Sequence, residues 1–119
     1  MPRILLIGTS AVLLAQRRQA FESAGYEVEV ASVSQAVRLM ECRQFDAVVT
    51  GHTIDERERA QLASAIRAKQ LSSKIVCLYL GNIRNAEVAN AVLQVTSPLE
   101  DLVHTVNELV CPGPHSQSA

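Results

Sequence analysis

The chain predicts an α/β fold of three layers, with a parallel sheet between two layers of helices. Short, continuous apolar runs such as Ile4 to Ile7, Phe45 to Thr50 and Ile75 to Leu80 alternate with longer amphipathic segments. Unbroken apolar character marks strands buried on both faces, and the alternation marks crossover helices. With 119 residues that are 48% hydrophobic, there is material for one core and no room for a second domain.

Ile4 to Ile7 forms the first strand. Gly8-Thr9-Ser10 then turns the chain, and Thr9 or Ser10 can cap a helix that runs to Ala24. Leu14, Phe21 and Ala24 fall near the buried face of that helix, whereas Gln16, Arg17 and Gln19 can face water. Gly25 stops it. From Tyr26 to Ala31, apolar Tyr26, Val28 and Val30 alternate with Glu27 and Glu29, as expected of a strand near a sheet edge. Ser32 or Ser34 opens a second helix that ends at Cys42, with Ala36, Val37, Leu39 and Met40 available for burial.

Phe45 to Thr50 reads as a buried central strand. The segment from Ile54 to Gln70 carries Leu62, Ala63 and Ile66 at helical spacing, and Asp55, Glu56 and Glu58 suit its N-terminus. Ile75 to Leu80 is a fourth strand, closed by Gly81-Asn82. Only Ile83 to Asn90 separate it from the apolar run Ala91 to Val95, which leaves about two turns for a shortened fourth helix. Pro98 begins the last helix, where Leu99, Leu102, Val103, Val106, Leu109 and Val110 follow the helical repeat. Residues 1–110 form the expected domain; the polar, proline-containing 111–119 is an expected disordered tail.

A net charge of -1 from 11 basic and 12 acidic residues gives no electrostatic footprint for nucleic acid or an anionic membrane. Arg17-Arg18, the only adjacent basic pair, reads as a solvated helix face. The three cysteines, Cys42, Cys77 and Cys111, lack metal-ligand spacing, and the expectation is reduced thiols in a cytoplasmic protein. The first apolar run is too short for a signal peptide or a membrane span.

Four strings fall in a recurring order: Arg3-Ile4-Leu5-Leu6-Ile7, Ala24-Gly25-Tyr26-Glu27-Val28, Phe45-Asp46-Ala47-Val48-Val49 and Ser97-Pro98. With the element order and length, they resemble the receiver domain of bacterial response regulators over residues 2 to 110. The resemblance implies a flavodoxin-like, three-layer α/β/α sandwich with five parallel strands in the order 2-1-3-4-5.

It also implies where a working receiver keeps its chemistry. Acidic residues after the first strand and an aspartate after the third hold magnesium, and that aspartate accepts the phosphoryl group. Here those positions are Gly8, Thr9 and Gly51, with no carboxylate among them. The hydroxyl residue after the fourth strand corresponds to Tyr79, the aromatic switch residue to Gln94, and the lysine of a lysine-proline pair to Ser97. Pro98 remains, and its bond to Ser97 is open to the cis form. The expectation is a degenerate pseudo-receiver with no phosphorylation, no metal and no cofactor, its pocket emptied of charge.

Other residues offer little chemistry. His52 follows Gly51 at the edge where α/β sheets bind ligands, but no carboxylate or second histidine partners it in the matching loops, so it reads as a loop histidine. His104 and His115 read as solvent-facing. Gly8-Thr9-Ser10 before a helix could hold an anion, but it lacks the longer glycine fingerprint of nucleotide sites. Tyr79 is expected to fill the space of the missing carboxylates and lean towards Gly51.

No nucleophile-base pair or acid-base dyad is visible, so the chain is not expected to be an enzyme. The leading reading is a protein-interaction module in two-component (phosphorelay) signalling that acts by binding a protein partner. The resemblance places homodimer or partner contacts on the fourth helix, fifth strand and fifth helix, around Asn85 to Val110. The alternative is a small-ligand or anion sensor using Gly8, Thr9, Gly51, His52 and Tyr79.

Overall fold

In the computed structural model, described for residues 2–51, 54–69, 73–80 and 89–110 (the side chains of Glu56 and Lys69 excepted), the apolar runs become a five-stranded sheet. Strand β3 (Ala47–Thr50) lies at its centre, with β1 (Arg3–Ile7) and β2 (Glu27–Ala31) on one side and β4 (Lys74–Tyr79) and β5 (Ala91–Gln94) on the other. The order is β2-β1-β3-β4-β5, and every pairing is parallel. This is the flavodoxin-like arrangement that the resemblance implied.

Helices α1 (Ala11–Ser23), α2 (Val33–Cys42), α3 (Glu56–Lys69) and α4 (Leu99–Val110) cover the two faces. On one, Leu5, Ile7, Val48, Ile75 and Cys77 pack under Ala36 and Met40 of α2 and Leu62 and Ile66 of α3. On the other, Ile4, Leu6, Val49, Val76 and Leu78 pack under Leu14 and Phe21 of α1 and Leu102 and Val106 of α4. Alternation of side chains along each strand sorts the core into these two halves. Val48, Val49, Val76 and Leu78 are all buried, as the central runs required.

Local signals explain the helix ends. Ser10, rather than Thr9, caps α1 by accepting from the Leu13 amide, and Ser32, rather than Ser34, caps α2 in a capping box with Gln35. The chain leaves α1 through Gly25 at φ 97°, a left-handed conformation suited to glycine. Ala24, expected on the buried face, is the exposed C-cap residue, because the helix has already ended there.

A larger correction concerns Arg17. Expected to face water, it is only 5% exposed, while Arg18 stays at the surface and pairs with Glu22. The third strand begins at Ala47 rather than Phe45, and the bond to Pro98 is trans, like every described peptide bond. The expected fourth helix over 83–90, His52, Cys111, His115 and the tail at 111–119 lie outside the described residues, apart from residues 89 and 90.

Candidate functional site

The carboxyl edge of the sheet is where the strands hand the chain to the loops, and ligands of open α/β sheets bind there. Gly51 sits on it directly after β3, buried, with its amide donating to the Ile7 carbonyl at 2.8 Å. A Cβ built at Gly51 would meet Ile7 O at 3.3 Å and Arg17 Nη1 at 3.4 Å. The space beside Gly51 therefore holds a guanidinium.

Arg17 reaches that space from α1, on the buried stripe with Leu14 and Phe21. Burial alone pulls its pKa down from the ordinary arginine range, with no carboxylate acting on it. Arginine remains protonated in proteins, so this is a buried cation. Arg17 lines a cavity of about 160 Å³ between α1, β4, β5 and the start of α4. Leu78, Gln94, Ser97, Pro98 and Leu99 line it as well.

Arg59 reaches the same glycine from the opposite face of the sheet. It is 6% exposed, its Nη2 donates to the Gly51 carbonyl at 3.3 Å, and its guanidinium carbon stands 4.4 Å above the centre of the Tyr79 ring. That height suits a cation-π contact. Its Nε has no hydrogen-bond partner among the described residues. Tyr79 is 5% exposed and packs in the core beneath α2 and α3, so it contributes to the Gly51 site by supporting Arg59. Behind it, burial raises the Cys77 thiol above its usual pKa range, against smaller downward pulls from the Thr50 hydroxyl and the Arg59 charge.

The structure distributes the described members of the expected pocket over several linings. Gln94, Ser97 and Pro98 border the Arg17 cavity, whereas Thr9 borders a separate shallow groove with Ala11, Leu14, Ala15, Arg18 and Val30. Gly8 is buried, and a Cβ there would touch Leu14 at 3.4 Å, so a leucine fills the ground where the resemblance implies an acidic residue. The expectation of a pocket without charge is overturned, because Arg17 and Arg59 place two cations around Gly51.

These residues do not fit a magnesium ion. The metal needs hard oxygen ligands, preferably carboxylates. Positions 8 and 51 have no side chain to supply one, and a guanidinium nitrogen lies 3.4 Å from where a side chain at 51 would begin. Among the described residues, no group of three or more His, Cys, Asp or Glu could hold a metal ion. No helix among them is long and apolar enough to cross a membrane. His104 is exposed beside Glu108 on α4, and Cys42 is an exposed free thiol.

No protein-family model matches the chain, and no curated protein matches it. Solved structures do match. A response regulator receiver domain protein from Clostridium thermocellum is 22% identical, with a TM-score of 0.81 over 92% of this chain and 94% of its own. The response regulator TrrA from Thermotoga maritima, solved in complex with Mg2+ and BeF, is 20% identical, with a TM-score of 0.81 over 92% and 99%. The chemotaxis protein CheY4 of Vibrio cholerae is 19% identical, with a TM-score of 0.81 over 92% and 98%. TrrA is also known in complex with the histidine kinase ThkA. At these identities the likeness establishes the receiver fold.

Proposed function

We propose that the chain is a pseudo-receiver, a protein-interaction module of bacterial two-component signalling that works without phosphorylation in the cytoplasm. One observation carries the reading: the phosphoacceptor position is a glycine, and the Arg17 guanidinium stands 3.4 Å from where a Cβ at that position would lie. Phosphoryl transfer to an aspartate depends on an ionised carboxylate and a metal that offsets charge on the phosphoryl oxygens. Here neither the nucleophile nor a metal-ligand set is supplied by positions 8, 9 and 51.

What remains is a rigid scaffold with surfaces. Val12 (69% exposed), Leu80 (65%) and Leu99 (38%) are large apolar side chains at the surface, each near the carboxyl edge of the sheet. Strand β5 is a half-buried edge strand beside α4, and this face is the proposed contact surface for a partner or a second copy. The partner class is a signalling protein such as a histidine kinase, by analogy with the complex that TrrA makes.

The test has two parts. Incubation with a small phosphodonor and magnesium, followed by intact mass, should give no adduct; a stable phosphoryl adduct would overturn the reading. Light scattering and capture from the native lysate should then show either a dimer or a bound signalling protein. Substituting Leu99→Glu should weaken that association, and association unchanged by it would reject the proposed face.

A further inference from the structure

Arg17 is a charged side chain that is 5% exposed, and it has neither an ion pair nor a hydrogen bond among the described residues. Such a group is costly to hold unless something pairs with it. Arg17 lines the cavity of about 160 Å³ at the carboxyl edge. The start of α4 closes the other side, with Pro98 and Leu99 in the lining. In that helix the Asp101 and Leu102 amides already bond to the Pro98 carbonyl, while the Leu99 and Glu100 amides precede any intrahelical acceptor. A buried, unpaired cation and the positive end of a twelve-residue helix thus meet across one small cavity.

We propose that this cavity binds a small oxyanion, a phosphate or a carboxylate, between Arg17 and the first turn of α4. The planar guanidinium fork matches both groups, and Gln94 and Ser97 add polar lining. Size narrows the ligand: the cavity has the volume of about five waters and falls below the roughly 300 Å³ of ordinary cofactor pockets. A single small anion fits, and a nucleotide does not. The carboxylates of Glu100 and Asp101, in the same helical turn, are exposed at the surface and leave Arg17 unpaired. Arg59 stands across β3 and adds positive potential without entering the cavity lining. This site differs from the Gly8-Thr9-Ser10 turn and does not depend on the interaction reading.

Titration of the isotope-labelled chain with inorganic phosphate, and separately with succinate, at ionic strength held constant with chloride, tests the proposal by NMR. At least one probe should give saturable shifts of the Arg17 Nε and of the Leu99 and Glu100 amides; which probe saturates identifies the source as phosphate or carboxylate. Arg17→Met should weaken binding by about tenfold to a hundredfold, the loss expected for a hydrogen bond to a charged group. Arg17→Lys should retain part of the affinity. The proposal is overturned if neither probe saturates, or if Arg17→Met binds as well as the parent chain. Because the Arg17 resonance is read in the unaltered protein, the result stands even if a variant fails to fold.

Discussion

A carboxylate introduced at position 51 should find a partner in Arg17. The Cβ of Gly51→Asp would lie 3.4 Å from Arg17 Nη1, so its carboxylate can be placed about 4 Å from the guanidinium charge. At that distance and an effective dielectric of about 20, the attraction is about 4 kcal/mol, from which desolvation of the new charge must be subtracted. A coupling of about 1.5 to 3 kcal/mol is therefore expected, the range of a charge-assisted hydrogen bond. Steric cost is separate: the Ile7 carbonyl at 3.3 Å must yield by a few tenths of an ångström, and Gly51→Ala measures that term. Arg17→Met alone should be neutral or stabilising by about 1 to 2 kcal/mol, since it replaces an unpaired buried charge with an apolar chain of similar length.

Urea denaturation of the parent, both single variants and the double variant closes the cycle. The coupling should be present at neutral pH and fade in acid. Pairing holds the introduced carboxyl below its unfolded pKa of about 3.9, so its stabilisation is complete above that value and is lost as pH falls through the lower folded pKa. A coupling within about 0.5 kcal/mol of zero would refute the placement of Arg17 against Gly51.

Tyr79→Ala should destabilise the fold by about 3 to 5 kcal/mol, because a buried ring is lost together with its contact to Arg59; an unchanged melting temperature would reject its role as a core support. For Cys77 the folded pKa lies above the unfolded one, so the native state holds its proton more tightly. Stability should consequently fall as pH rises past the unfolded thiol value of about 8.5, at up to about 1.4 kcal/mol per pH unit until the folded pKa is reached. Cys77→Ala should remove that part of the alkaline slope, and an identical slope in the variant would contradict the assignment. Under native conditions a thiol reagent should label exposed Cys42 quickly and buried Cys77 only on unfolding.

The sheet was legible because its signal is redundant. Each central run is apolar without interruption, and only a strand covered on both faces tolerates that composition over so short a length. Serine caps and Gly25 were equally readable, since each has a local mechanism. The two arginines were missed for a different reason. Leu14, Arg17 and Phe21 fall at i, i+3 and i+7, as do Arg59, Leu62 and Ile66. Periodicity thus placed both arginines on buried stripes, but the usual exposure of arginine argued the other way. Their convergence on Gly51 depends on helix-to-sheet packing from opposite faces, which no spacing within one helix encodes.

Positions 8 and 51 are filled in chemically opposite ways. At Gly8 the adjoining space is occupied by Leu14, an apolar filling that the two-sided core can accommodate at little cost. At Gly51 the neighbours are Arg17 and Arg59, both more than nine-tenths buried and both carrying charge that a leucine or methionine would avoid. Packing alone would favour the first solution at both positions. Arg59 recovers part of its burial penalty through the Gly51 carbonyl and the Tyr79 ring, whereas Arg17 has only the cavity. An edge that held metal through carboxylates would repel an oxyanion unless a metal screened it; this edge attracts one directly. Gly51→Asp alone should therefore yield an internal ion pair with Arg17, since positions 8 and 9 supply no carboxylate to hold a metal beside it.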